Sequence, residues 1–119
     1  MAKACAKASV ALLTLLLLAG CSRSRVIKVN VINNSPDTIS NIIIDYPSAT
    51  FGIHLLAAGK AFQYAIKPTE NGALKIEFTN AQGKTKRFPG PAVRKDDEGT
   101  MEIRLTQDAA VADAKLQHT

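Results

Sequence analysis

Cysteine, tryptophan and aromatic residues are all scarce in this chain of 119 residues. It has two cysteines, no tryptophan and 5% aromatic residues. Cys5 lies inside an apolar N-terminal leader and Cys21 stands at the end of that leader. The chain beyond Cys21 therefore has no thiol, so it cannot form a disulfide or use a cysteine nucleophile. A domain in that part of the chain must be held together by the packing of an aliphatic core.

Strong charge of one sign is also absent. The chain has 15 Lys and Arg against 10 Asp and Glu, and two of the lysines, Lys3 and Lys7, lie in the leader. The remaining 13 basic residues exceed the acidic ones by only three. A nucleic-acid binder needs a dense basic stripe, so no nucleic-acid partner is expected.

The leader has the layout of a signal peptide. A short segment with Lys3 and Lys7 precedes an apolar run over residues 10–19. As a helix, that run would be about 15 Å long, roughly half the thickness of the hydrocarbon core of a bilayer. It is too short to span a membrane stably, so residues 1–20 are predicted to be a cleaved signal peptide.

The leader ends in Leu18-Ala19-Gly20-Cys21, an aliphatic residue and two small residues before a cysteine. This pattern resembles the lipobox of bacterial lipoprotein precursors. The resemblance implies cleavage between Gly20 and Cys21, a diacylglyceryl group on the Cys21 sulfur and three acyl chains, palmitate among them, on the mature N-terminus. Ser22 stands where Asp would mark retention in the inner membrane, which implies the outer membrane, with the domain facing the periplasm. The alternatives are an ordinary secretory signal or an uncleaved anchor.

Residues 21–25 are predicted to be a lipidated N-terminus and a short tether. The four residues after Cys21 reach at most about 14 Å, which would hold a folded domain close to the lipid head groups. Arg23, Arg25 and Lys28 would then lie at an anionic surface and attract it. The alternative is that they only keep the tether soluble.

Residues 26–106 alternate between apolar and polar residues as β-strands do. Ile27, Val29 and Val31 share one predicted face. The second segment has Ile42, Ile44 and Tyr46 on one face and Ile39 and Ile43 on the other, which predicts a central strand or a bulge. Later segments, separated by Gly and Pro turns, place apolar residues at alternate positions; these are Phe51, Ile53 and Leu55, then Phe62, Tyr64 and Ile66, then Leu74, Ile76 and Phe78, and finally Met101, Ile103 and Leu105.

Together with the basic segment 84–88, this gives about seven strands and no helix. The prediction is an all-β domain, an immunoglobulin-like or transthyretin-like antiparallel β-sandwich over residues 26–106. A small barrel is the alternative. Residues 107–119 are Ala-rich and too short for a stable isolated helix, so they are predicted to be a flexible C-terminal tail.

The body also resembles a group of known proteins. The resemblance rests on Asn33-Asn34-Ser35, the Ile-rich strand after it, and the segment from Phe51 to Lys60, Phe-Gly-Ile-His-Leu-Leu-Ala-Ala-Gly-Lys. These features are similar to those of small uncharacterised immunoglobulin-like lipoproteins of proteobacteria. The resemblance supports the fold and implies no activity.

Side chains that could carry out catalysis are few. His54 is predicted to be an exposed surface residue and His118 lies in the predicted tail, while Asp45 has no visible partner. The acidic segment 96–98 lacks the spaced oxygen ligands of a calcium loop and is interpreted as a charged hairpin tip. No catalytic, cofactor-binding or metal-binding residue is therefore predicted.

Two functions from different classes remain. The first is a membrane-anchored, non-enzymatic envelope module that binds or supports another envelope protein; its basic segment Lys84–Arg87 would lie on an edge strand, where lysines discourage aggregation or a partner strand pairs. The second is a ligand-binding or enzyme-inhibitory periplasmic lipoprotein, with a pocket near residues 46–50 and 89–99. A hydrolase would need a triad that the sequence does not supply.

The lipid anchor is tested by the substitution Cys21→Ser. Without the sulfur there is no acceptor for the diacylglyceryl group, so the variant should lose palmitate labelling and no longer fractionate with membranes. Metabolic labelling and mass spectrometry of the mature chain measure this directly. A Cys21→Ser chain that still incorporates palmitate would disprove the assignment.

Overall fold

The structure, a computed structural model, describes residues 25–118. The predicted signal peptide over residues 1–20, its cleavage site between Gly20 and Cys21, and the lipidated Cys21 lie outside the described residues. The described part is all-β, and its eight strands are β1 (Ile27–Asn33), β2 (Ile39–Tyr46), β3 (Ala49–Leu56), β4 (Ala61–Ile66), β5 (Gly72–Thr79), β6 (Thr85–Val93), β7 (Glu98–Leu105) and β8 (Ala110–Gln117).

The strands form two four-stranded sheets, ordered β4-β1-β7-β8 and β3-β2-β5-β6. All neighbouring strands are antiparallel except β1 and β7, which run parallel. The predicted all-β sandwich is confirmed. Immunoglobulin domains place their first strand beside the second, whereas here β1 and β2 belong to different sheets. The arrangement is thus the transthyretin-like one of the two expected.

The core lies between the sheets and is almost entirely aliphatic. The alternation predicted for β1 is confirmed, because Ile27, Val29 and Val31 are all buried. On β7, Met101, Ile103 and Leu105 are buried in the same way. Burial of these side chains supplies the main driving force for folding in a domain that has no disulfide.

A bulge in β2 changes which side chains reach the core. Asn41 has a φ of 49°, and the pairing of β2 with β5 shifts between Ser40 and Ile43. A bulge of this kind re-aims the residues on one side of it. Ile39 therefore lies in the core, while Ile43 faces outward with 38% of its surface exposed.

The neighbouring strand follows the same switch. On β3, Phe51 and Ile53 are buried as predicted, but Leu55 is 60% exposed and Leu56 takes the buried position. The prediction that Leu55 faces the core was therefore wrong. A prediction from strict apolar–polar alternation assumes that every second residue of a strand faces the core. That assumption fails where the side chains change face partway along a pair of strands.

Residues 110–117 form a strand where a flexible tail was predicted. β8 pairs with β7 along its whole length, from Leu105 opposite Ala110 to Glu98 opposite Gln117. Leu116 packs against the core, as do the small side chains Ala110 and Ala112. Alanine is only weakly apolar, so this segment shows no clear alternation of apolar and polar residues from which a strand could be predicted. The domain thus extends past residue 106 and has eight strands.

β6 also runs further than predicted. The segment predicted over residues 84–88 continues as a strand to Val93, through Pro89 and Pro91. Proline lacks an N–H group and is tolerated in a strand when that position faces solvent at an edge. β6 is an edge strand, so its prolines do not end it.

Asn33 ties together the end of the sandwich farthest from the N-terminus of the domain. Its side chain is fully buried. Nδ2 donates hydrogen bonds to the carbonyls of Asp37 and Leu56, both at 2.8 Å, and Oδ1 accepts from the backbone N–H of Ser35 at 2.9 Å. One side chain therefore connects β1, the loop after it and the end of β3.

Substitution Asn33→Ala should destabilise the domain by about 3 kcal/mol, because buried carbonyl and amide groups would lose their partners. The exposed neighbour Asn34 provides the control, and Asn34→Ala should change the free energy of unfolding by less than about 0.5 kcal/mol. Urea denaturation measures both. Equal effects of the two substitutions would contradict the role given to Asn33.

Deletion of residues 107–119 tests the eighth strand. Removal of β8 exposes the edge of β7 that β8 covers and takes Leu116 from the core. We therefore expect the transition midpoint in urea to fall and the truncated chain to aggregate. Hydrogen exchange gives a second measurement, since the ladder amides of β8 should be protected in the intact chain. Fast exchange throughout residues 110–117 would support a tail.

Candidate functional site

The two ends of the sandwich differ in what they contain. The chain enters at one end, called here the N-terminal end, where the Gly99 N–H donates to the carbonyl of Val26 at 3.2 Å. The loops at 47–48, 67–71 and 94–97 meet at this end. They are joined by hydrogen bonds from the backbone N–H of Thr69 to Ser48 Oγ (3.4 Å) and of Lys95 to Asn71 Oδ1 (2.9 Å).

The pocket predicted near residues 46–50 and 89–99 would lie at this same end of the sandwich. The two segments do come to the same end of the sandwich, but residues 67–71 lie between them and bond to both. The Asp96 N–H donates to the Pro68 carbonyl at 3.3 Å, and Pro68 is buried. The loops therefore pack against one another there.

The acidic segment 96–98 has a structural role at the same end. Asp97 is fully buried; its Oδ2 accepts from the Arg94 N–H at 2.9 Å, and its Oδ1 lies 2.5 Å from His118 Nδ1. The carboxylate thus closes the β6–β7 turn and holds the end of β8. Within residues 25–118, no three His, Cys, Asp or Glu side chains are grouped so that they could hold a metal ion.

The other predicted candidates are spread over the surface. His54 is exposed on β3, toward the end opposite His118. Asp45 accepts a hydrogen bond from Thr50 Oγ1 at 2.9 Å across the β2–β3 hairpin. The structure therefore does not bring the two histidines together, and Asp45 has a surface threonine as its partner.

The basic segment Lys84–Arg87 lies at a sheet edge, as predicted, because β6 is the outer strand of its sheet. Lys86 Nζ lies 3.6 Å from Asp108 Oδ1, and Arg87 Nε lies 2.7 Å from Glu77 Oε1. Two of the charges are therefore neutralised at the surface. The prolines of the same strand remove N–H groups that an added strand would need.

β4, at the edge of the other sheet, has a different character. Its sequence Ala-Phe-Gln-Tyr-Ala-Ile has no charge and no proline. Phe62 and Tyr64 remain 39% and 42% exposed, and the Tyr64 ring stacks on Phe51 of β3 with centroids 4.3 Å apart. Burial raises the pKa of the nearby Tyr46 phenol, and the charge of Tyr64 adds to that rise. Four of the six aromatic rings thus lie along the β3–β4 side.

The direction of the backbone groups on β4 follows from its first ladder bond. The Asn33 N–H donates to the Lys60 carbonyl at 2.9 Å, so Lys60 faces β1. In an antiparallel ladder, alternate residues face the same side. The N–H and C=O groups of Ala61, Gln63 and Ala65 therefore face away from β1.

A groove of about 840 Å³ lies on the outer face of the β4-β1-β7-β8 sheet. Two rows of side chains cross it from strand to strand. The first row is Ala65, Lys28, Thr100 and Lys115, and the second is Gln63, Asn30, Glu102 and Asp113. Small-molecule sites commonly occupy about 300–1,000 Å³, so the groove is of that size. A second depression, of about 680 Å³, lies on the outer face of the opposite sheet beside Glu77 and Arg87.

The charges in the groove are separated by sign. Arg104 Nη2 binds Asp113 Oδ2 at 2.7 Å, and its Nη1 binds Glu102 Oε2. Hydrogen bonds first to Asp113 and then to Glu102 raise the pKa of Arg104 above its usual value. One guanidinium thus binds both carboxylates and balances one of their two negative charges. Lys28 and Lys115 form no ion pair with residues 25–118.

The sequence alone does not reveal these two surfaces. The groove residues are distant in sequence, and only the strand order brings Lys28, Thr100 and Lys115 into one row. The β4 edge had a signal in its sequence, because six residues without charge or proline are unusual for an exposed edge. Its edge position could not be inferred without the sheet order.

Comparison with known proteins supports the fold. No family model matches the chain, and no curated protein matches it. Among solved structures, the chain is similar to an NMR structure of a protein from Eubacterium rectale, with a TM-score of 0.54 and 10% identity. The match covers 78% of this chain and 87% of the other. At that identity the likeness concerns the fold alone.

Proposed function

We propose that the chain is a lipid-anchored protein of the bacterial outer membrane that acts as a non-enzymatic binding module for another envelope protein. The lipobox at Leu18–Cys21 supports the anchor. Strand β1 begins at Ile27, only six residues after Cys21. The N-terminal end of the sandwich would therefore lie against the lipid head groups on the periplasmic side.

Charge at that end fits such an orientation. On the loops that meet there, three basic side chains are exposed, Lys67, Arg94 and Lys95, against one exposed carboxylate, Glu70, and one half-buried carboxylate, Asp96. Basic residues close to an anionic membrane surface each contribute about 1 kcal/mol of attraction. With the strands directed away from the membrane, both edges of each sheet would remain accessible to a partner.

The binding surface in this proposal is the free edge of β4, and the uncharged edge with exposed Phe62 and Tyr64 is the observation that carries it. A partner strand that pairs with β4 would satisfy the outward backbone groups of Ala61, Gln63 and Ala65. It would also cover the two aromatic rings. Backbone pairing combined with burial of alternate side chains is how strand addition gains affinity and specificity.

Other edges fit a partner strand less well. β6 has prolines and basic side chains, and β8 has Asp113 and Lys115. β3 is uncharged apart from His54, but its inward residues Phe51 and Ile53 are already buried. Leu55 is the one large apolar side chain exposed on β3, whereas β4 exposes two, Phe62 and Tyr64.

A photoreactive amino acid at position 63, in intact cells, tests the proposal. We expect one discrete adduct from position 63 and none from position 84 on the β6 side. The added substitution Ala65→Pro removes an N–H that only an incoming strand would use, so it should reduce the adduct about tenfold or more. Ala65→Val keeps that N–H and is the matched control.

Three outcomes would contradict this function. The first is an adduct of equal yield from position 84. The second is no reduction by Ala65→Pro in a variant whose urea transition is unchanged. The third is an adduct with twice the mass of the chain, which would mean self-association at β4 instead of a separate partner.

A further inference from the structure

We propose that the groove on the outer face of the β4-β1-β7-β8 sheet is a binding site for an acidic sugar, a saccharide that bears a phosphate or carboxylate group. The groove adjoins β4, but the groups argued here to bind the ligand, Lys28, Asn30, Thr100 and Lys115, come from β1, β7 and β8. Three features of the groove support it: a pair of lysines that form no ion pair although Glu98 lies near them, an unpartnered buried acceptor, and the distance between them.

The lysine pair supplies the anion site. Lys28 on β1 and Lys115 on β8 lie on either side of Thr100 on β7, in one row across the sheet. Adjacent strands are about 4.8 Å apart, so both ammonium groups can reach an anion placed over the Thr100 hydroxyl. Glu102 and Asp113 are both bound by Arg104, and neither carboxylate forms an ion pair with Lys28 or Lys115.

The unpartnered acceptor is Asn30 Oδ1. It is buried and has no hydrogen-bond partner among the described residues, although Asn30 lines the groove. A buried acceptor without a donor costs roughly 1–3 kcal/mol. A ligand that offers a hydroxyl or amide donor at this point would recover that cost.

The spacing of these groups selects the kind of ligand. Asn30 lies two residues from Lys28 on the same strand and the same face, about 7 Å along the strand. A ligand must therefore carry its anion at one end and a hydrogen-bond donor several ångströms away. A sugar ring with a phosphate or carboxylate at one end and hydroxyls at the other meets this requirement, whereas an inorganic anion meets only half of it.

The test uses the full chain in uncharged detergent micelles and observes amide chemical shifts during titration. The probes are glucose 1-phosphate and glucuronate, with glucose and inorganic phosphate as controls. We expect both acidic sugars to shift the resonances of Lys28, Thr100 and Lys115 together with the side-chain amide of Asn30. Glucose should produce no shift at the same concentration, and phosphate should leave Asn30 unchanged.

Variants then separate the two halves of the site. Lys28→Gln with Lys115→Gln should weaken glucose 1-phosphate binding about tenfold or more. Asn30→Ala should weaken the acidic sugars but leave phosphate binding unchanged. The matched control is Lys75→Gln with Lys84→Gln, which removes the same charge from the opposite sheet and should have little effect.

Several outcomes would overturn the site. One is equal loss of binding in the Lys75 and Lys84 control, which would indicate general attraction to a basic protein. Another is an Asn30→Ala variant that binds both sugars as well as the unchanged chain does. A third is Lys28-dependent and Lys115-dependent binding to phosphatidylglycerol vesicles with no response to either sugar, which would assign the lysines to a lipid head group. Ala61→Pro removes an outward N–H of β4 from a residue that does not line the groove. It should leave sugar binding intact, so this proposal can fail or succeed independently of strand addition at β4.

Discussion

Strand β1 holds the sandwich together by pairing with β4 on one side and β7 on the other. β1 pairs with β7 in parallel over seven residues and with β4 on its other side, so it joins the start of the domain to its last third. No disulfide is available to make that connection.

The parallel register also sets Lys28 beside Thr100 and Asn30 beside Glu102. The same pairing places the chain entry and the end of β8 at one end of the sandwich, because both lie beside the start of β7.

The two candidate surfaces make different demands on the fold. The β4 edge offers outward backbone groups and two exposed rings, which suit an extended protein segment. The groove offers fixed side chains from β1, β7 and β8, which suit a small polar ligand. A lipid anchor would place both within reach of envelope components without requiring that the domain carry out chemistry. Asp97 illustrates the difference between a charged residue and a site, since its carboxylate is occupied by the Arg94 amide and by His118.

Where the observed strands differ from the predicted ones, the causes are physical and cannot be inferred from the alternation of apolar and polar residues. The left-handed backbone at Asn41 changes which face of the sheet the preceding side chains occupy, so Ile39 lies in the core. The neighbouring strand β3 follows the same change, which leaves Leu55 exposed. Alanines at 110 and 112 pack against the core, but alanine gives too weak an apolar pattern for the strand to be predicted. Pro89 and Pro91 remain in a strand because one side of β6 has no neighbour. Each case depends on what lies next to the residue in space.

Local sequence patterns indicate a short apolar leader that ends in Leu18-Ala19-Gly20-Cys21, which resembles a lipobox, and a thiol-free β domain with an aliphatic core. Those conclusions rest on local patterns: the length of an apolar run, the spacing of small residues before a cysteine, and the two-residue period of Ile and Val. Only the tertiary structure decided which strands are edges and which side chains share a row. Lys28 and Lys115 are 87 positions apart in the printed sequence, and nothing local relates them. They face one groove because hydrogen bonding between strands sets the register, and that register is fixed by how the two sheets bury their apolar faces together.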